Sequence, residues 1–156
     1  MKRNFQFNEN GQTILEVLIA LALIILFLSG VIIVELFSLR NAQYAQNKSI
    51  ATHLARQQLE RARVVRDTAG IDALSICTSA NPCFINPSLT PTQVLPTGTY
   101  EQQLVVTDAT VTECPLPTVT PPPVNYKASV TISWAQGAQL TPAPEVSLST
   151  CITDWR

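Results

Sequence analysis

Gly11-Gln12-Thr13-Ile14-Leu15-Glu16-Val17-Leu18-Ile19-Ala20-Leu21-Ala22-Leu23-Ile24-Ile25-Leu26-Phe27-Leu28-Ser29-Gly30-Val31-Ile32-Ile33-Val34 is the stretch around which the rest of the chain organises itself. From Val17 to Val34 eighteen residues pass without a charge, and only alanines, Ser29 and Gly30 dilute the large aliphatic side chains. At a rise of about 1.5 Å per helical residue this run reaches roughly 27 Å, close to the thickness of a bilayer's hydrocarbon core. A secretory signal of the ordinary kind has a shorter apolar region closed by a small-residue cleavage site, and none closes this one.

Upstream stands a short polar segment, Met1 to Gly11, with Lys2 and Arg3 at its start. A leader ending in glycine, a glutamate five places further on and a long uncharged run together resemble the type IV prepilin family. The resemblance implies a peptidase that cuts after Gly11 on the cytoplasmic side, leaving Gln12 as the new terminus and Glu16 as the fifth residue of the mature chain. The family usually carries phenylalanine directly after the cut, where this chain has Gln12, so cleavage carries over while N-methylation of the new terminus is left open. The resemblance also implies a role for Glu16. A carboxylate near hydrocarbon is costly unless it is paired, and the α-amine released at Gln12 of a neighbouring subunit is a partner created only by cleavage. Glu16 is then the assembly residue, setting axial register. Solvation of Glu16 at the headgroup boundary is the plainer alternative.

From Leu36 to Asp67 there is neither proline nor glycine, and Ala, Leu, Gln, Glu and Arg predominate, so the apolar helix is expected to continue outward until Gly70 stops it. Ala51, Leu54, Ala55, Leu59, Ala62 and Val65 recur at three- and four-residue steps and predict a face that packs on a domain. Arg56, Glu60, Arg63 and Arg66 form the opposite, solvated face. Helix from Thr13 to Arg66 would span about 80 Å. No sustained heptad marks it as a coiled coil.

Residues 68–99 hold Pro82, Pro87, Pro91 and Pro96 and read as an irregular connection. After Gly98 the period changes to two. Tyr126, Ala128, Val130, Ile132 and Trp134 alternate with Lys127, Ser129, Thr131 and Ser133, predicting a half-buried antiparallel strand. Tyr100 to Val106 and Val146 to Ile152 predict two more, enough for a minimal sheet under a helix. Pro115 to Pro123 predicts an extended, polyproline-like surface loop.

Cys77, Cys83, Cys114 and Cys151 all follow the apolar run, and none stands in a C-x-x-C or Cys/His metal spacing. Two disulfides in an oxidising compartment are expected. Three connectivities are open. Cys77 with Cys83 is favoured by proximity, and Cys114 with Cys151 because Cys151 faces away from Val146, Leu148 and Ile152.

The helix Ala51 to Arg63 and the endings Val130 to Trp134 and Leu148 to Trp155 are similar to PilV-type minor pilins and to minor pseudopilins of type II secretion. The resemblance implies an α+β pilin fold: a long N-terminal helix, membrane-spanning in its first half, packed on a small antiparallel sheet with disulfide-tied loops. Its divisions would be a leader (1–11), a transmembrane and filament-core helix (12–35), an outer amphipathic helix (36–67), a helix-to-sheet loop (68–99) and a sheet domain (100–156). It implies a single-pass inner-membrane protein with an extracytoplasmic C-terminal domain, later part of a cell-surface or periplasmic filament. Its partners would be other pilin or pseudopilin subunits, the prepilin peptidase, the inner-membrane assembly platform and, before assembly, the lipid bilayer. A tip adhesin or DNA-capture subunit and an uncleaved, membrane-anchored protein are the alternatives.

Ten basic and eleven acidic residues, a net charge of −1, create no field that draws in nucleic acid. No GxSxG, Walker A, HExxH or dinucleotide turn is present, so no catalytic residue, metal or cofactor is expected. His53, the single histidine, has no second ligand at metal spacing. Trp134 and Trp155 are expected to pack at the ends of strands.

Overall fold

The computed structural model describes residues 9–96, 98–110, 112–114, 125–135 and 142–153. The expected leader residues 1–8, the proline-rich loop 115–123 and Trp155 lie outside them. The chain divides into two compact units, Met1–Gln43 and Tyr44–Arg156. One helix, α1 (Glu9–Ala69), contributes to both.

Among the described residues of the first unit, α1 is the one element. From Ile14 to Leu39 its large apolar side chains are exposed, Leu26 and Phe27 by 73% and 71%, so none of the described residues buries them. The helix is long and apolar enough to cross a membrane.

The second unit has α1 from Tyr44 onward, a 3-10 turn (Ile71–Leu74), and strands β1 (Phe84–Ile85), β2 (Pro91–Thr92), β3 (Tyr100–Asp108), β4 (Asn125–Trp134) and β5 (Glu145–Thr153). The fold is α+β. The three long strands form an antiparallel sheet in the order β3-β4-β5. β4, the strand with the clearest alternation, takes the centre. Its Ala128, Val130, Ile132 and Trp134 are buried and meet Ala51, Ala55, Leu59, Ala62 and Val65 of α1 in one core. Trp134 lies 6.1 Å from Tyr44 and 6.4 Å from Tyr100, ring centre to ring centre.

As expected, Gly70 ends α1 after Ala69, with φ at 88°, a conformation that costs glycine little. Two details depart from the sequence expectations. Residues 68–99 are more ordered than their prolines suggest. The 3-10 turn starts directly after Gly70, and β1 and β2 form a short hairpin, Phe84 opposite Thr92 and Ile85 opposite Pro91. Asn86 closes its turn by accepting from Thr90 N through Oδ1 at 2.9 Å. Pro91 is tolerated because it opens the last strand of a two-stranded edge, where a missing N–H breaks no continuing ladder.

The arginine face is the second departure. Arg61 donates to the Ile85 carbonyl at 2.9 Å, Arg63 to Thr150 Oγ1 at 2.9 Å and Arg66 to the Thr153 carbonyl at 3.4 Å. Their long side chains reach around the helix to β1 and β5, so this face is solvated at Arg56 and Glu60 and docked at Arg61, Arg63 and Arg66.

Candidate functional site

The residues singled out in the N-terminal segment share one helix. Its backbone passes through Gly11 and Gln12, and Glu16 follows one turn later with its side chain exposed. Glu16 and Glu35 bracket the uncharged run, nineteen residues apart, or about 28 Å of helix. What this arrangement can do follows from solvation. A helix satisfies its own backbone hydrogen bonds, so the run between Glu16 and Glu35 enters hydrocarbon at little polar cost, and the two carboxylates mark its ends.

In the second unit the cysteines are brought together in two bridges, Cys77 with Cys83 and Cys114 with Cys151. Each fixes a loop to the sheet. The first holds a segment against the outer edge of β3: Cys83 and Leu104 exchange backbone bonds of 2.9 and 2.8 Å, and Val106 N donates to the Cys77 carbonyl at 2.7 Å. This covers an edge that would otherwise offer free backbone groups to another strand.

The second bridge ties Cys114 to the solvent side of β5, since Val146, Leu148 and Ile152 turn inward while Ser147, Ser149 and Cys151 are exposed. Neighbouring contacts reinforce it. Lys127 Nζ meets Glu113 Oε1 at 2.9 Å, and Asn125 Nδ2 donates to the Cys114 carbonyl at 2.8 Å. The Lys127 hydrogen bond, the Thr110 backbone N–H and the Lys127 charge together hold the Glu113 carboxyl below the usual carboxylate range. His53 lies exposed on α1.

Comparison with family models, with characterised proteins and with solved structures gives no match. The functional reading therefore rests on this chain's own residues.

Two features escaped the sequence reading. Gln58 lies within the apolar stripe and is 1% exposed. Its amide reads the backbone of β1 as a neighbouring strand would: Ile85 N donates to Oε1 at 3.1 Å, and Nε2 donates to the Ile85 carbonyl at 3.2 Å and to Gln102 Oε1 at 3.2 Å. A polar residue at the stripe's own spacing, between Ala55 and Ala62, was the available signal.

The other is a cleft of about 430 Å³ between the 3-10 turn and the ends of β3 and β4, with Asp72, Asp108 and Tyr126 among its lining residues. Asp72 and Asp108 are 36 positions apart in sequence, and no local pattern links them.

Proposed function

We propose that this chain is a structural subunit of a type IV pilus-like filament, a minor pilin or pseudopilin of pilin fold, whose N-terminal helix is a membrane anchor first and filament core afterwards. The observation that carries the reading is the exposed apolar helix led by Gly11, Gln12 and Glu16. A face this long, without a charge and without cover from the described residues of its own chain, needs either lipid or the same face of other subunits. Both are met in sequence by a subunit that waits in the inner membrane and is then lifted into a bundle by an assembly platform.

Glu16 supplies the register. Leaving its carboxylate unpaired among apolar helices costs about 3 kcal/mol or more, and pairing with the amine freed at Gln12 of a neighbour removes that cost at one stagger only. The Tyr44–Arg156 unit stands outside the membrane on this reading, where an oxidising compartment maintains both disulfides.

The test is the mass of the protein in membranes of cells that contain prepilin peptidase. The mature chain is expected to begin at Gln12, and Gly11→Ala is expected to leave the leader attached. A wild-type chain that keeps Met1 would mark an uncleaved membrane-anchored protein instead. Glu16→Ala is expected to be cleaved normally yet to enter filaments poorly.

A further inference from the structure

The two bridges differ in what surrounds their sulfurs. Cys77 and Cys83 are both 0% exposed and belong to the core shared by α1 and the sheet. Cys114 is 1% exposed, whereas Cys151 is exposed on the solvent side of β5 with Ser147 and Ser149. Thiol–disulfide exchange begins when an external thiolate reaches one sulfur of the bridge. Of the four bridged cysteines, Cys151 alone offers that approach in the folded chain.

Opening the second bridge also leaves its surroundings in place. β5 stays paired with β4 from Glu145 to Thr153, and Arg63 and Arg66 hold Thr150 and Thr153 from α1. On the other side, the Cys114 carbonyl keeps Asn125 Nδ2, and Ala109 N still donates to the Asn125 carbonyl at 2.9 Å. The first bridge lacks this independence. Backbone groups of Cys77 and Cys83 form the bonds that cover the edge of β3, so its sulfurs are reached only when that cover lifts.

We infer that Cys151 is a thiol-exchange site, at which a dithiol reductant opens the Cys114–Cys151 bridge while the unit stays folded. The attacking thiolate bonds to Cys151 Sγ, and the electron pair of the S–S bond leaves with Cys114 Sγ, which takes up a proton. The reductant's second thiolate then attacks its own sulfur in the mixed disulfide, and Cys151 Sγ leaves with that electron pair and is protonated in turn. Two electrons and two protons pass to the chain as two thiols, and the dithiol becomes a disulfide. The result is a reversible latch. In the oxidised chain Cys114 is tied covalently to β5; in the reduced chain its segment is held to β4 by the Asn125 and Lys127 contacts.

Loop length alone would give the reverse order of opening, because the bridge closing 37 positions stabilises the chain more than the one closing six. Access and entropy therefore make opposite predictions.

The test uses the full chain in detergent micelles without denaturant, treated with dithiothreitol for increasing times, its free thiols alkylated and located by mass spectrometry. Cys114 and Cys151 are expected to be labelled together, at an initial rate about tenfold or more above that of Cys77 and Cys83. In concentrated urea the two bridges are expected to open at comparable rates, which ties the difference to the fold. A brief exposure to glutathione, a monothiol that halts at the mixed disulfide, is expected to leave its adduct on Cys151 and a free thiol on Cys114. Hydrogen exchange of the opened chain is expected to quicken at Glu113 and Cys114 while the amides of β4 and β5 keep their protection. Opening of Cys77–Cys83 first or at the same rate in the folded chain, a glutathione adduct on Cys114, or loss of protection across β4 and β5 would overturn the inference. A tenfold difference that persists in urea would overturn it as well, since access in the fold would not be its cause.

Discussion

Gln58 is the residue whose replacement tests most directly how the helix is seated on the rest of the unit. Gln58→Leu keeps roughly the same bulk in a stripe position and removes both amide partners of Ile85. The Ile85 carbonyl retains Arg61 as a donor, whereas its N–H, on a residue with no solvent exposure, loses its acceptor. An unsatisfied buried donor costs about 1–3 kcal/mol, offset in part by the more apolar side chain. With a urea dependence of about 1–3 kcal/mol per molar, the unfolding midpoint is expected to fall by roughly 1 M. The assay is urea unfolding of the full chain in detergent micelles, followed by tryptophan fluorescence, since Trp134 is buried beside Tyr44 and Tyr100. Gln58→Glu provides the internal control. Its carboxylate accepts from Ile85 N but faces the Ile85 carbonyl without a proton to donate, so burial favours the neutral form and raises its pKa. The penalty is then greatest at neutral pH and relieved as pH falls through that raised value. If Gln58→Leu were as stable as the parent, or if Gln58→Glu showed no recovery in acid, the strand-like role of the Gln58 amide would be refuted.

Two further outcomes follow from the loops. Removing the Cys114–Cys151 bridge, which spans 37 positions, is expected to cost about 4 kcal/mol on the chain-entropy account, against about 2 kcal/mol for the six-position Cys77–Cys83 bridge; chemical denaturation of the two double Cys→Ser variants checks the order, and equal losses would contradict it. Because the folded Glu113 carboxyl titrates below its ordinary value of 4.5, its pairing with Lys127 stabilises above that value and is lost as pH falls through the lower, folded one. Glu113→Gln is therefore expected to flatten the acid limb of the stability profile, and an unchanged profile would show that the pair is too solvated to matter.

Much of the fold could be read from periodicity because the helix and strands here are each driven by a local pattern. The apolar run, the three- and four-residue stripe and the alternation of β4 each state which side chains must leave water, and β4 proves to be the central strand because its inward face is apolar along its length. The connection 68–99 was less legible. Four prolines signal breaks, but hydrogen bonds between Asn86 and Thr90 and between Cys83 and Leu104 turn those breaks into a hairpin and an edge cover. Such bonds join positions that have no shared period.

The same distinction holds for the candidate sites. Glu16 and the run from Val17 to Val34 are adjacent, so a carboxylate at the head of a hydrocarbon-length helix is written in order along the chain. The arginines were not assigned correctly from sequence, because helical spacing places Arg63 and Arg66 on a face without saying that β5 passes within reach of their guanidinium groups. Gln58's role and the cleft joining Asp72 to Asp108 needed the tertiary structure for the same reason. The sequence by itself determined the long helix, the division between an apolar half and a stripe-bearing half, and the three strands, since each follows from which neighbouring side chains avoid water. Strand order, the Gln58 amide in the core, the docked arginines and the cleft were decided only when distant segments packed, because directional hydrogen bonds and charge partners depend on where the chain returns in space.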